Sequence, residues 1–126
     1  QHVLDVLNGY ITLAVKLKMN KKLHGQEFNF GPKKTNIKVV DILKIIERKW
    51  SLARWKTMKN NNFFENTLLS LNSKKAEKIL GWKNKFNFKE NIYHTIDWYM
   101  FYLSNRNKKK NILKKSIDQI NYFEKK

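Results

Sequence analysis

The chain has 126 residues, enough for one small domain that buries roughly two-thirds of its unfolded surface. Apolar residues make up 41% of it and include four Trp, which excludes a disordered tail, while the lack of any apolar run of about 18 residues excludes a membrane-spanning helix. The absence of Cys excludes disulfides and thiolate metal sites and fits a cytoplasmic protein.

The net charge of +17 invites a second reading, a free-standing Lys-rich helical module that binds nucleic acid or another polyanion. Yet 24 of the 27 basic residues are Lys and only Arg48, Arg54 and Arg106 are Arg, the residue suited to gripping phosphates and bases bidentately. Lys, Asn and Ile share AT-rich codons, so a base-biased genome accounts for the charge as readily as a selected surface. Either origin predicts nonspecific attraction to nucleic acid at low salt.

In chain order, Val3, Leu7, Tyr10, Ala14 and Leu17 recur at spacings of three and four and predict a helix, widened by Leu4, Ile11 and Leu13. Opening on Gln1 inside a helical pattern, the chain reads as a piece of something longer. A turn is expected at Gly25, then a short strand, Glu27-Phe28-Asn29-Phe30, stopped by Gly31-Pro32. Val39 to Trp50 predicts a second helix with Val39, Ile42, Leu43, Ile46 and Trp50 on one face. Ala53 to Met58 and Thr67 to Leu71 read as short strands around the polar loop Asn60-Asn61-Asn62.

Asn72 or Ser73 is expected to cap a brief helix, Lys74 to Leu80, closed by Gly81 in the left-handed conformation. Asn87 and Glu90 have capping-box spacing and open a helix bearing Ile92, Ile96, Tyr99, Met100 and Leu103. A basic amphipathic helix over 112–124 closes the chain, with Ile112, Leu113, Ile117, Ile120 and Phe123. The reading is mostly α with a few short strands. Strands so isolated cannot form a sheet and read as additions to one completed elsewhere.

Catalytic signatures are missing. The four glycines stand far apart, so there is no phosphate-cradling loop or dinucleotide fingerprint. His2, His24 and His94 have no carboxylate or His at metal-ligand spacing, and the ten carboxylates are dispersed. Tyr122 and Lys126 match a Tyr-x-x-x-Lys spacing but sit on the final turn without a Gly-rich fold before them. The pairs Trp98-Tyr99 and Phe101-Tyr102 suit base stacking, but on a helix with an apolar face they read as core or interface. No catalytic, cofactor-binding or metal-binding residue is assigned within the chain.

Several stretches, in order, nevertheless resemble the C-terminal part of extended short-chain dehydrogenase/reductases that act on nucleotide sugars. His2-Val3-Leu4-Asp5 with Leu7-Asn8-Gly9-Tyr10 is similar to a segment leading into a helix beside the sugar-nucleotide site. Phe28-Asn29-Phe30-Gly31-Pro32 resembles the strand end Asn-x-Gly-Pro, and Phe64-Glu65-Asn66 falls where His-Glu-Ala is usual. Ser73-Lys74-Lys75-Ala76 is similar to the helix start Asp-x-Ser-Lys-Ala, Leu80-Gly81-Trp82 to Leu-Gly-Trp, and Thr95-Ile96-Asp97-Trp98-Tyr99 to Thr-x-x-Trp-Tyr. The tail Ser116-Ile117-Asp118-Gln119-Ile120, with the opening segment, narrows the resemblance to the CDP-glucose 4,6-dehydratase family. Departures are Phe64 for His, Asn72 for Asp and Asn84 for the Pro that follows Leu-Gly-Trp.

The resemblance implies that residues 1–126 are the substrate-binding portion of an α/β fold. An N-terminal Rossmann domain, absent here, would hold NAD and the catalytic Tyr and Lys, and the complete enzyme would be a homodimer. The implied chemistry is oxidation of CDP-glucose at C4, loss of water across C5 and C6, and return of the hydride to C6. Glu65 and Asn66, then Asn29 and His2, are the residues implied to lie near the nucleotide sugar, with turn capping the alternative role for Asn29. Without its companion domain the chain is expected to be inactive and to expose apolar patches.

Overall fold

The computed structural model describes residues 1–33, 37–57 and 71–126. Five helices form there: α1 (Val3–Met19), α2 (Val39–Lys49), α3 (Lys74–Leu80), α4 (Phe88–Ser104) and α5 (Lys109–Glu124), with a 3₁₀ turn at Lys21–Leu23.

The helix ends follow local chemistry. His2 is extended and its Nδ1 accepts from the Leu4 amide at 3.3 Å, which starts α1; Asn20 ends it and caps the 3₁₀ turn through the Lys22 amide. Asp41 Oδ2 accepts the Lys38 amide at the start of α2. At α4 the expected capping box is present, with Asn87 Oδ1 3.0 Å from the Glu90 amide and Glu90 Oε2 2.8 Å from the Asn87 amide. At α3 the two candidate caps divide the work. Asn72 Oδ1 accepts the Lys74 amide at 3.1 Å, whereas Ser73 Oγ is taken up 42 residues away by the Gly31 amide at 2.7 Å. The last helix begins ahead of the expected 112, at Lys109.

No strand occurs among the described residues, a correction to the expected short strands. Residues 27–30 are extended and unpaired: Phe30 is buried and Phe28 half-buried on the helical core, while Glu27 and Asn29 face water. A period of two therefore fits an extended segment lying on helices as well as it fits a strand, and a strand needs a neighbour to pair with. Residues 53–57 are also unpaired; the Trp55 indole lies 3.4 Å from Glu47 Oε2 instead. Met58 and residues 67–70 of the third expected strand lie outside the described residues.

Packing runs in pairs: α1 on α3, α2 on α4, and α4 on α5. The core between α1 and α3 holds Leu23, Phe30, Ala76, Leu80 and Trp82, flanked by Leu13, Leu17 and Phe28. Each large side chain buried there contributes about 1.5–3 kcal/mol. The chain exposes 10697 Å², half again the roughly 7100 Å² of a compact globule of its mass. Exposed apolar side chains include Val3, Tyr10 and Ile11 on α1 and Leu113, Ile117 and Tyr122 on α5.

Candidate functional site

The segment Leu80–Asn87 ties the helices together. Gly81 adopts φ +73° at the end of α3, which only Gly does cheaply, and this turn sends Trp82 inward. The Trp82 ring meets the buried Phe30 edge-on at 5.1 Å, and its indole N–H donates to the Asp5 carbonyl at 3.1 Å. Three residues on, the Lys85 amide donates to Asp5 Oδ1 at 2.8 Å, while the Lys85 ammonium donates to the Phe123 and Glu124 carbonyls at the end of α5. Phe86 then stacks on His94 of α4 at 4.6 Å and meets His2 and Phe123 edge-on. Asn91 completes the node: its Oδ1 accepts the His2 amide at 2.6 Å and its Nδ2 donates to the Asn87 carbonyl at 2.9 Å.

The electrostatics of this node follow from burial. His2 is held down to about 4, first by desolvation, then by its neighbour His94 and the N-terminal ammonium. Because Nδ1 accepts from Leu4, the proton of the neutral ring sits on Nε2. His94 is lowered by partial burial against the pull of Glu90 and Asp97. Asp5 is fully buried and its carboxyl is raised by desolvation; the Lys85 and Phe86 amides oppose the rise, but Oδ2 closes no hydrogen bond. Glu90 lies below the usual range because the Lys126 ammonium and the Asn87 amide favour its charged form.

Two grooves flank the node. One, of about 630 Å³, lies between α2 and α4 and is lined by Ile42, Ile46, Phe86, Ile92 and Ile96, with Asn84 at its edge. The other, of about 520 Å³, lies between the start of α1, α4 and α5 and is lined by His2, Val3, Trp98, Tyr99 and Ile120. Polar groups around the second already have partners: the Trp98 indole donates to Ser116 Oγ at 2.9 Å, and the Gln119 amide to the His94 carbonyl at 2.8 Å.

The residues implied near a nucleotide sugar are not all in view. His2 is 4% exposed and serves as cap and aromatic packing partner, so it reaches the second groove only with its edge. Asn29 is exposed and makes no hydrogen bond among the described residues, so no capping bond of that kind is seen. It precedes Phe30, which packs on Gly9, two turns along α1 from His2; the two are not brought together. Glu65, Asn66 and Phe64 lie outside the described residues. The Tyr122 ring packs on His94 and Lys126 pairs with Glu90, so that Tyr-x-x-x-Lys spacing forms no acid–base unit. Lys85 and Asn91, and the buried role of Asp5, hold the node and are not visible in the sequence pattern. The available signal was a charged residue four positions before Gly9 on the inward side of an apolar helix.

Chemically, the arrangement holds elements in place. No group of three or more His, Asp or Glu suited to a metal occurs among the described residues. Among the described residues no helix opens from a glycine turn, the element that cradles the phosphates of a dinucleotide such as NAD. Among the described residues no helix is long and apolar enough to cross a membrane.

No family model matches the chain, and no solved structure matches it. Over 101 residues, 79% of its length, it is 30% identical to the CDP-glucose 4,6-dehydratase of Salmonella typhimurium. The chain spans 28% of that enzyme. It is therefore a distant and partial relative of a dehydratase.

Proposed function

We propose that the chain is the C-terminal, substrate-side portion of a CDP-glucose 4,6-dehydratase-like enzyme and does not catalyse by itself. The observation that carries this reading is the 30% identity sustained over 101 residues. In support, the described residues make a helical node, and among them no helix opens from a dinucleotide-type glycine turn; on this reading NAD and the proton-transfer groups belong to another portion of the enzyme. Glu65, Asn66 and Asn29 are the proposed contacts to CDP-glucose. His2, being buried, acts by fixing the start of α1. The complete enzyme would be a cytoplasmic homodimer.

Two measurements test this. The DNA upstream of the Gln1 codon should encode a Gly-rich strand–turn–helix and a Tyr-x-x-x-Lys; a stop codon followed by unrelated sequence refutes the reading. The purified chain should convert no CDP-glucose, with or without added NAD, when products are separated by chromatography. Turnover by the 126-residue chain would show that the chemistry lies within it.

A further inference from the structure

Helix α1 is apolar on two sides. Its inward arc, Gly9, Leu13 and Leu17, faces the α1–α3 core with the buried Asp5. On the other side Val3, Leu7, Tyr10, Ile11 and Val15 are all exposed, Ile11 by 65%. At 1.5 Å per residue, Val3 to Val15 makes a stripe roughly 18 Å long, and the one charge on its arc, Lys18, falls beyond its end. A contiguous exposed stripe of this size exceeds what scattered surface residues explain.

What covers it is narrowed by charge and length. A second copy brings another +17, which opposes association, while the matched enzyme is more than three times as long as the segment aligned here. The stripe also continues, through Val3, into the groove bounded by Tyr99 and Ile120, so the apolar surface extends beyond α1. We propose that the outward face of α1 seats the remaining portion of the dehydratase-like enzyme, through an apolar, uncharged patch on that portion. The inference rests on the functional reading above for the identity of the occupant.

The chain has no Cys, so single thiols can be placed at will. Ile11→Cys reports the stripe, and Lys78→Cys, exposed on α3, is the control. Maleimide alkylation, followed on the tryptic peptides, is compared in the isolated chain and in a chimera where the chain replaces the segment of the Salmonella typhimurium enzyme that aligns with it. Expected is rapid labelling at both positions in the isolated chain, and at least tenfold slower labelling at position 11 alone in the chimera, whether or not the chimera is active. A chimera that turns over CDP-glucose yet labels as fast at position 11 as the isolated chain overturns the inference and leaves the functional reading standing. An inactive chimera with fast labelling overturns both. Protection at position 11 in the isolated chain that disappears on dilution makes a second copy the occupant and overturns the inference.

Discussion

Replacing Gly9 by Ala separates packing from backbone preference, because the two predict opposite signs. Gly9 lies in the middle of α1 and has no positive φ, so helix propensity alone favours Ala by about 1 kcal/mol. Space does not allow it. A methyl at Gly9 would lie 2.5, 2.7 and 2.9 Å from three atoms of the Phe30 ring, about an ångström inside van der Waals contact. The ring cannot simply swing away: it is buried, edge-on to Trp82 on one side and to Tyr10 on the other, and Trp82 is tied to the Asp5 carbonyl. Overpacking of this kind costs about 1–3 kcal/mol, and the rigid surroundings put it at the upper end. The expected net loss is about 2 kcal/mol, or a Tm lower by roughly 8 °C for a domain of this size. Urea unfolding followed by Trp fluorescence measures it. Trimming the ring should relieve the clash, so Phe30→Leu in the Gly9→Ala background should show a favourable coupling of at least about 1 kcal/mol in a double-mutant cycle. A neutral or stabilised Gly9→Ala would refute the account of how α1 meets the 27–30 segment.

Two further outcomes probe the node. The folded chain disfavours protonated His2, so stability is complete above the ordinary 6.5, drains as pH falls, and the loss is full below about 4; at ~1.4 kcal/mol per pH unit this amounts to roughly 3 kcal/mol. His2→Asn should flatten that acid limb in urea titrations, leaving the weaker same-sign contribution of His94 and the opposite one of Asp5, whose raised carboxyl favours the folded state at low pH; an unchanged limb would show that His2 is not buried as described. Gly81→Ala should cost about 1–2 kcal/mol, because an L side chain is strained at φ +73° although nothing crowds it, with a red shift in Trp emission as Trp82 loosens; a wild-type midpoint and spectrum would exclude the proposed role of this turn.

The helices were legible because each carries its own signal. The apolar spacing of α1, the reciprocal cap of Asn87 and Glu90, and Gly81 at a helix end depend on neighbours within four residues, and sequence displays such neighbours directly. What sequence cannot display is a partner 40 to 90 residues away. Ser73 has the chemistry of a helix cap, yet Gly31 claims its hydroxyl; Asn91 sits unremarked inside α4, yet holds the His2 amide. The alternation at 27–30 misled for the same reason. It records which side chains are inward, and a strand differs from an extended coil only in whether another strand lies alongside. The candidate site was less legible still, since three of the four residues singled out lie on the surface or outside the described residues, and the fourth is packed away.

The Leu80-Gly81-Trp82 signature gains a physical meaning from this node. Its Gly ends α3, its Trp fills the core, and the following Lys85 and Phe86 bind α1, α4 and α5 to that point. In these contacts the signature marks the way this portion folds. The departures from the family pattern can be weighed on the same basis. Asn72 replaces an Asp and still caps α3 through Oδ1, so the fold absorbs that change. Asn84 replaces a Pro within the node and leaves its Nδ2 buried without a partner, a cost of about 1–3 kcal/mol for a neutral amide. Both changes bear on how this portion folds. On the proposed function, Phe64, where the resemblance leads one to expect His, is the departure that bears on substrate contact, because an aromatic hydrocarbon can neither donate to a phosphate nor accept from a sugar hydroxyl. Phe64→His in the complete enzyme is expected, on that reading, to tighten CDP-glucose binding measured by calorimetry, and an unchanged affinity would remove position 64 from the substrate contacts.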